Sequence, residues 1–180
     1  MKIFPINPNS CPGIPINHHP GAFGFHRPWN YHPGVDLYTD DGEQVYSIED
    51  GTVVSTGVFT GPQVGTDWWG TTWYVMIKGK SGVFNYGEIY ATYWSVGDKV
   101  KCGQEIGKVK RVLFEDKLRP NIPGHSTSML HLELYTHDSI QPVEWADRIK
   151  PHNLLDPTPI ILPLWLLSQP MTNFQWDNSK

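Results

Sequence analysis

The sequence predicts an all-β domain built mostly of antiparallel strands. Short runs rich in Val, Ile, Tyr, Thr and Trp recur from about residue 22 to residue 135, and glycines separate them. The 17 glycines and 16 prolines indicate many turns. No stretch between the runs is long enough for the helical crossover that joins parallel strands. A chain of 180 residues suits one domain with a substantial core.

Six runs are predicted to form strands, and a long loop precedes the last of them. In chain order the runs are "QVYSI", "GTVVSTGVF", "TWYVMIK", "GVFNYGEIY", "EIGKVKRVLF" and "MLHLELY". The stretch "SVGDKVKCGQEIGKV" at 95–109 adds a polar turn and a Gly-Gln bend. Residues 115–127, "EDKLRPNIPGHST", form a Pro/Gly-rich loop, and loops of this length in compact domains are often functional.

The two ends of the chain differ in composition from its strand-rich middle. Residues 1–21 are predicted to form a Pro/Asn/His-rich N-terminal arm, residues 22–140 the domain, and residues 141–180 a C-terminal tail packed on the domain or trailing from it. The tail is expected to begin with a short helix after Pro142 and then to run irregularly, because prolines interrupt it.

Neither a secretion signal nor a membrane span is expected. The N-terminus is broken by prolines and lacks the apolar centre of a secretory signal. The longest apolar run, "IILPLWLL" at 160–167, is far shorter than the roughly 20 residues that cross a bilayer.

Charge and cysteine content exclude two classes of site. The net charge of −4 is spread without a basic block, which argues against nucleic-acid binding. The two cysteines, Cys11 and Cys102, are too few for a zinc site built from cysteines, and the sequence leaves open whether they pair.

The strand "SMLHLELY" at 128–135 places a histidine between leucines. Alternate side chains of a strand point to opposite faces, so the three leucines point to a core. The other face carries Met129, His131, Glu133 and Tyr135. Elsewhere, His32 precedes Asp36 by four residues in "HPGVDL". Taken separately, a strand histidine is more often a hydrogen-bonded core group than a ligand, and His32 with Asp36 also fits a surface pair across a Pro-Gly turn.

Five segments together resemble the LytM/lysostaphin-type zinc endopeptidases, which cut peptidoglycan cross-bridges. In family order they are "FGFHRPWNYHPGVDL" at 23–37, "GEQVYSIEDGTVVSTG" at 42–57, "YGEI" at 86–89, "VGDKVKCGQEIGKV" at 96–109 and "LHLELY" at 130–135. The resemblance implies the all-β, mostly antiparallel fold of that family. It also implies that His32, Asp36 and His131 bind one Zn²⁺, with a water in the open fourth position as the nucleophile. Glu133 matches a family glutamate that supports the last ligand.

Two positions depart from the family pattern, and three interpretations of them stay open. Met129 and Glu88 stand where the family has its two assisting histidines. In the first interpretation Glu88 is the general base, as glutamate is in related D-Ala-D-Ala metallopeptidases. In the second, which adds to the first, His125 of the long loop folds over the site and supplies a donor to the oxyanion. In the third, the zinc site persists without turnover and the domain binds a wall fragment or a protein partner.

The resemblance further implies a substrate class and a location. The substrate would be a peptidoglycan stem peptide or cross-bridge, which lies in the periplasm, in the cell wall or outside the cell. The export route is open between phage lysis and a dedicated secretion machine, and a protein inhibitor or delivery partner is a further partner class. Within the candidate domain, His26 is expected to line the cleft, and Trp68 and Trp69 to floor a substrate groove.

A carrier domain is the alternative from a different class. The stretch "VGDKVKCGQEIGKV" is also similar to the repeats of biotinyl and lipoyl carrier domains. Such carriers need a modified lysine at a hairpin tip, usually beside methionine, and no such tip is evident here, so this alternative is set aside.

Overall fold

The structure is a computed structural model that describes residues 1–117 and 127–169. Within these residues nine strands are followed by one α-helix. They are β1 (Val35–Thr39), β2 (Gln44–Tyr46), β3 (Gly51–Thr60), β4 (Thr72–Gly79), β5 (Val83–Ile89), β6 (Lys99–Val100), β7 (Glu105–Lys108), β8 (Ser128–Tyr135), β9 (Leu154–Leu155) and α1 (Thr158–Ser168). The predicted all-β, mostly antiparallel fold is confirmed, and each of the six predicted runs contains a strand.

The strands of the described residues form one large and one small antiparallel sheet. The large sheet has the order β1-β8-β5-β4-β3-β6, and β9 pairs with the end of β8. The small sheet joins β2 to β7. Because β8 lies between β1 and β5, His131 is directly opposite Asp36 on one side and Gly87 on the other. The sheet order therefore brings together residues that are far apart in the sequence.

The core lies on the leucine face of β8. The three leucines of this strand are buried as predicted, together with the apolar side chains of β1 and β5. The opposite face of β8 is also buried, apart from the half-buried Met129. Polar groups on this second face therefore lie inside the molecule, where each needs a partner.

The N-terminal arm packs on this core. Phe4 and Ile6 are buried, and the backbone N–H of Tyr46 in β2 donates to the carbonyl of Pro5 at 2.8 Å. Cys11 is buried on the same side, and both cysteines are free thiols. The arm thus covers the small sheet.

The prediction of a helix after Pro142 is wrong. In that segment the N–H of Val143 donates to the Tyr135 hydroxyl at 3.0 Å, and the carbonyl of Trp145 accepts from Tyr31 at 2.8 Å, so these groups bond to neighbouring segments instead of to a helical turn. The helix of the tail is α1, which contains the apolar run with its proline. No helix in the described part of the chain is long and apolar enough to cross a membrane.

Candidate active site

Two antiparallel strands and the turn before them position the candidate metal ligands. Asp36 lies in β1 opposite His131 in β8, and His32 precedes β1 across the Pro-Gly turn. Gly34 in this turn passes close to β8, since a Cβ there would be 2.5 Å from the carbonyl oxygen of Leu132. Only glycine allows the turn to approach this closely, which explains the glycine of "HPGVDL".

The side chains of His32, Asp36 and His131 converge. Oδ1 of Asp36 lies 3.1 Å from Nε2 of His32 and 2.8 Å from Nδ1 of His131, and the two ring nitrogens are 3.2 Å apart. All three residues are buried. The alternative of a surface pair for His32 and Asp36 is therefore wrong.

The outer atom of each converging side chain has its own partner. Nδ1 of His32 faces the carbonyl of Ala22 at 3.0 Å, Nε2 of His131 faces Oε1 of Glu133 at 3.2 Å, and Oδ2 of Asp36 accepts from Arg27 at 3.2 Å. These contacts favour the tautomers in which the inner nitrogens carry a free lone pair. Two imidazoles and a carboxylate, each oriented from behind, form a donor set that fits a zinc ion.

Burial and mutual contacts shift the pKa values of the three side chains in the metal-free cluster. Burial lowers the pKa of His32. Burial alone would raise the pKa of Asp36, but the charge of His32 and hydrogen bonds from both rings bring that pKa below its usual range. Burial opposes a proton on His131, whereas hydrogen bonds with Asp36 and Glu133 favour it and raise its pKa overall. A metal that binds here must displace this proton, so its affinity will depend on pH.

Glu88 lies beside the cluster in a strained backbone conformation. The pairing of β4 with β5 shifts register just before Ile89, and Glu88 has φ 59°, in the left-handed region. Its side chain is buried, and Oε2 has no hydrogen-bond partner among the described residues. Burial, followed by the charge of Asp36, raises its pKa to about 8. Strain and an unpaired buried carboxylate oxygen are typical of functional positions.

A cavity of about 590 Å³ opens over these residues. Asp36, Glu88, Met129 and His131 line it near the cluster. Its walls are largely apolar and include Val58, Phe59, Trp69, Tyr74, Val112, Leu113, Pro142 and Val143. The cavity is thus a concave, mostly apolar site with a few convergent polar groups, as ligand sites usually are.

The other predicted site residues lie in different surroundings. Trp69 lines the cavity, while Trp68 is 55% exposed and packs edge-on against Trp69. His26 packs against the ring of Tyr31, 4.7 Å between centroids, and is not among the described residues that line the cavity. His125 lies outside the described residues.

Most of the cavity lining was not predicted from the sequence, including Arg27, Phe59 and Tyr74. Arg27 follows His26 in the sequence and contacts Asp36, although no role was predicted for it. Phe59 and Tyr74 come from β3 and β4, and the Phe59 ring lies 5.3 Å from that of His131. Neither belongs to a motif, and their placement follows from irregular strand pairing that no local pattern predicts.

The sequence of the chain matches a known protein family. The family model "Peptidase family M23" matches residues 30–143, which include all three converging side chains. This chain belongs to peptidase family M23. This match confirms the resemblance to LytM/lysostaphin-type enzymes.

Several solved structures are similar to this M23 chain. CbpA from L. salivarius REN is 16% identical with a TM-score of 0.52, and the match covers 94% of this chain and 99% of that one. A zinc-containing peptidase from Vibrio cholerae is 22% identical with a TM-score of 0.48, and the match covers 84% of this chain. Csd3 from Helicobacter pylori is 22% identical with a TM-score of 0.48 over 85% of this chain. The M23 chain spans 41% of the Vibrio cholerae chain and 36% of Csd3. No curated protein sequence matches it.

Proposed function

We propose that the protein is a zinc metalloendopeptidase that hydrolyses peptide bonds in peptidoglycan stem peptides or cross-bridges. The observation that carries the proposal is the convergence of Nε2 of His32, Oδ1 of Asp36 and Nδ1 of His131 beneath an open cavity. These three atoms would hold the zinc ion, and Asp36 and His131 among them also line the cavity. An open site of this kind is typical of catalytic rather than structural zinc.

A bound zinc ion would supply a Lewis acid that polarises the scissile carbonyl and makes water more acidic. The residues of the chain would do the rest. Glu88 would accept a proton from the attacking water, because a cation held by the three ligands would favour its ionised form and its unpaired carboxyl oxygen is buried near Asp36 and His131. It would then pass that proton to the amine of the leaving peptide. His125 would add a donor from the long loop.

The direct test is digestion of purified cell walls. Zinc-loaded protein is incubated with walls of several chemical types, and the released fragments are identified by mass spectrometry. New amino and carboxyl ends in the stem peptides or cross-bridges support the proposal. The variant His131→Ala serves as the control, since it removes a candidate ligand.

The role of Glu88 has its own test. Glu88→Gln keeps the size of the side chain but removes the carboxylate, so we expect zinc to stay bound while the rate falls by about 10²–10⁴, the usual contribution of a positioned base. Met129→Ala is the matched control in the same cavity and should change the rate little, because a thioether transfers no proton. Hydrolysis at the parental rate in Glu88→Gln would remove Glu88 from the mechanism and direct attention to His125.

A binding module without turnover is the second candidate function. It is favoured by one observation, that Met129 and Glu88 both line the cavity where a proton-donating imidazole would assist catalysis. If the parent protein binds zinc but releases no fragment from any wall type, this second function replaces the first. Co-sedimentation with the same walls would then measure the binding.

Location and partners follow from the proposed substrate. Hydrolysis of peptidoglycan would take place in the periplasm, in the cell wall or outside the cell. The protein would reach these locations through phage lysis or a dedicated secretion machine. A protein inhibitor or a delivery partner is the further partner class of the proposed enzyme.

A further inference from the structure

Arg27 is the one lysine or arginine among the described residues that line the cavity. The other charged side chains of this lining, apart from His131, are carboxylates: Asp36, Glu88, Glu133 and Glu144. A negatively charged atom in the cavity would therefore meet one permanently positive side chain of the described chain. The location of that side chain determines where such an atom is bound.

The guanidinium of Arg27 is held next to the candidate ligands. Its Nη2 donates to Oδ2 of Asp36 at 3.2 Å and to the carbonyl of Pro20 at 3.2 Å. Its backbone N–H donates to Asn30 at 2.8 Å, which fixes the start of the side chain. The two side-chain contacts, to Asp36 and to Pro20, use both hydrogens of Nη2. The guanidinium has five N–H donors in all, so three remain. The side chain is 32% exposed and is part of the cavity lining.

The other donors of the described cavity lining are neutral, among them the side-chain amide of Asn30 and the indole N–H of Trp69. Neither the thioether of Met129 nor an ionised Glu88 can donate a hydrogen bond. The hydroxyl of Tyr74 is already within hydrogen-bond distance of Ser55, at 3.0 Å. The described part of the cavity thus offers Arg27 as the strongest donor, since a charge-assisted bond from guanidinium is about twice as strong as a neutral one.

We propose that Arg27 is a further catalytic residue, whose free N–H groups donate to the anionic oxygen that develops on the substrate carbonyl. The inference rests on the proposed function. The water oxygen bonds to the carbonyl carbon, one water proton moves to Glu88, and the carbonyl π electrons move onto the oxygen that Arg27 faces. The carbonyl then re-forms, the C–N bond breaks, and the amine takes the proton. Arg27 thus performs an electrostatic task that the thioether of Met129 cannot perform and for which the proton of Glu88 is not needed, since that proton goes to the leaving amine.

A purely structural role for Arg27 predicts something different. If the guanidinium only holds Asp36 in place, its removal should weaken zinc binding and affect both kinds of ligand alike once zinc is saturating. If Arg27 also contacts the developing oxyanion, its removal should weaken ligands that carry a negative oxygen at that position more than uncharged ones, even at saturating zinc. The difference between the two ligand affinities at saturating zinc therefore separates the two roles.

The experiment compares three variants with the zinc-loaded parent: Arg27→Ala, Arg27→Lys, and Arg148→Ala as an exposed control of the same residue type. Calorimetry measures two probes, a phosphinic analogue of an alanyl-alanine bond and its uncharged methylene counterpart. Zinc content is measured by elemental analysis. Where the wall digest shows turnover, kcat/KM is measured as well.

We expect Arg27→Ala to lower both the affinity for the phosphinic probe and kcat/KM by about 10²–10³, the usual effect of losing one oxyanion donor. Arg27→Lys should recover part of this loss, and at saturating zinc the methylene-probe affinity of each variant should match that of the parent and of Arg148→Ala. Equal weakening of both probes in zinc-saturated Arg27→Ala, or no binding of the phosphinic probe by the parent, would overturn the proposal. If the parent cleaves no wall but binds the phosphinic probe through Arg27, hydrolysis is refuted and the anion contact of Arg27 stands.

Discussion

At the scale of single residues, Glu133 holds the His131 ring in place. Its Oε1 faces Nε2 of that ring at 3.2 Å, and its Oε2 accepts from Asn85 and from the Tyr135 hydroxyl. A carboxylate that accepts from the second nitrogen of a metal-binding imidazole fixes the ring and raises the basicity of the ligating nitrogen. Losing such a partner typically lowers metal affinity by roughly 10–100-fold.

We therefore expect Glu133→Gln to bind zinc about 10–100-fold more weakly than the parent, because an amide cannot accept from all three neighbours. Competition with a chromophoric chelator measures the affinity. Glu144→Gln, which changes an exposed carboxylate of the same cavity, should match the parent. Equal zinc affinity in both variants would show that Glu133 does not support the ligand.

Glu88 gives the metal-free protein a pH-dependent stability. Burial and the charge of Asp36 raise its pKa from 4.5 to about 8. Between these values the folded state holds a proton that the unfolded chain has lost, so the contribution of Glu88 to stability falls as the pH rises through this window. Burying an unpaired charge costs roughly 1–3 kcal/mol or more.

Glu88→Gln removes this titration while keeping the shape of the side chain. With a chelator present, the Tm of the variant relative to that of the parent should therefore rise between about pH 5 and about pH 8, by about 2–4 °C for each kcal/mol. Circular dichroism at several pH values measures the difference. A Tm difference that is constant across this range would contradict the shifted pKa.

At the scale of the elements, strands with a clear pattern were predictable and those defined by packing were not. The run that forms β8 alternates leucine with polar residues, and its parity gave the correct faces. β1 has only five residues and is buried on both faces, so no alternation marks it. The bulge at Glu88 arises from pairing with β4, which a local pattern does not contain. The ligands could be predicted because their motifs keep a fixed order, whereas Arg27 contacts Asp36 only through the fold.

α1 is the element that local rules placed wrongly, and its position follows from packing. Pro163 interrupts the run, and the helix is apolar on all sides, so it lacks the polar face by which surface helices are recognised. The carboxylate of Asp156 accepts from the N–H of Thr158 at 2.8 Å at the start of the helix. Ile161 is fully buried in the core. Tertiary contacts therefore select this helix.

We expect Ile161→Ala to lower the free energy of unfolding by about 2–5 kcal/mol, because it leaves a cavity in the core. Leu167→Ala is the matched control in the same helix, since Leu167 is 84% exposed, and its effect should stay within about 0.5 kcal/mol. Urea unfolding of both variants measures the two values. Equal stability of the two variants would mean that α1 trails from the domain instead of packing on it.

At the scale of the whole molecule, the candidate metal centre links distant parts of the chain. Asp36 and His131 are 95 residues apart in the sequence but hydrogen-bonded in the fold. The donor set exists only when β1 and β8 are paired, so an ion that binds it binds the folded state and stabilises that state by mass action. Metal binding and global stability should consequently change together.

Zinc at about one hundred times its dissociation constant should stabilise the protein by about 2.7 kcal/mol, which corresponds to a rise in Tm of about 5–10 °C. His32→Ala, Asp36→Ala and His131→Ala should each lose most of this rise and contain less zinc, because each removes one of three ligands. His137→Ala, which changes an exposed histidine two residues beyond the end of β8, should keep the full rise. Calorimetric scans with and without zinc, paired with elemental analysis, measure both quantities.

Full zinc content in all three ligand variants would show that the metal binds elsewhere. A normal Tm rise in His131→Ala alone would show that His32 and Asp36 bind the ion without the strand that closes the site.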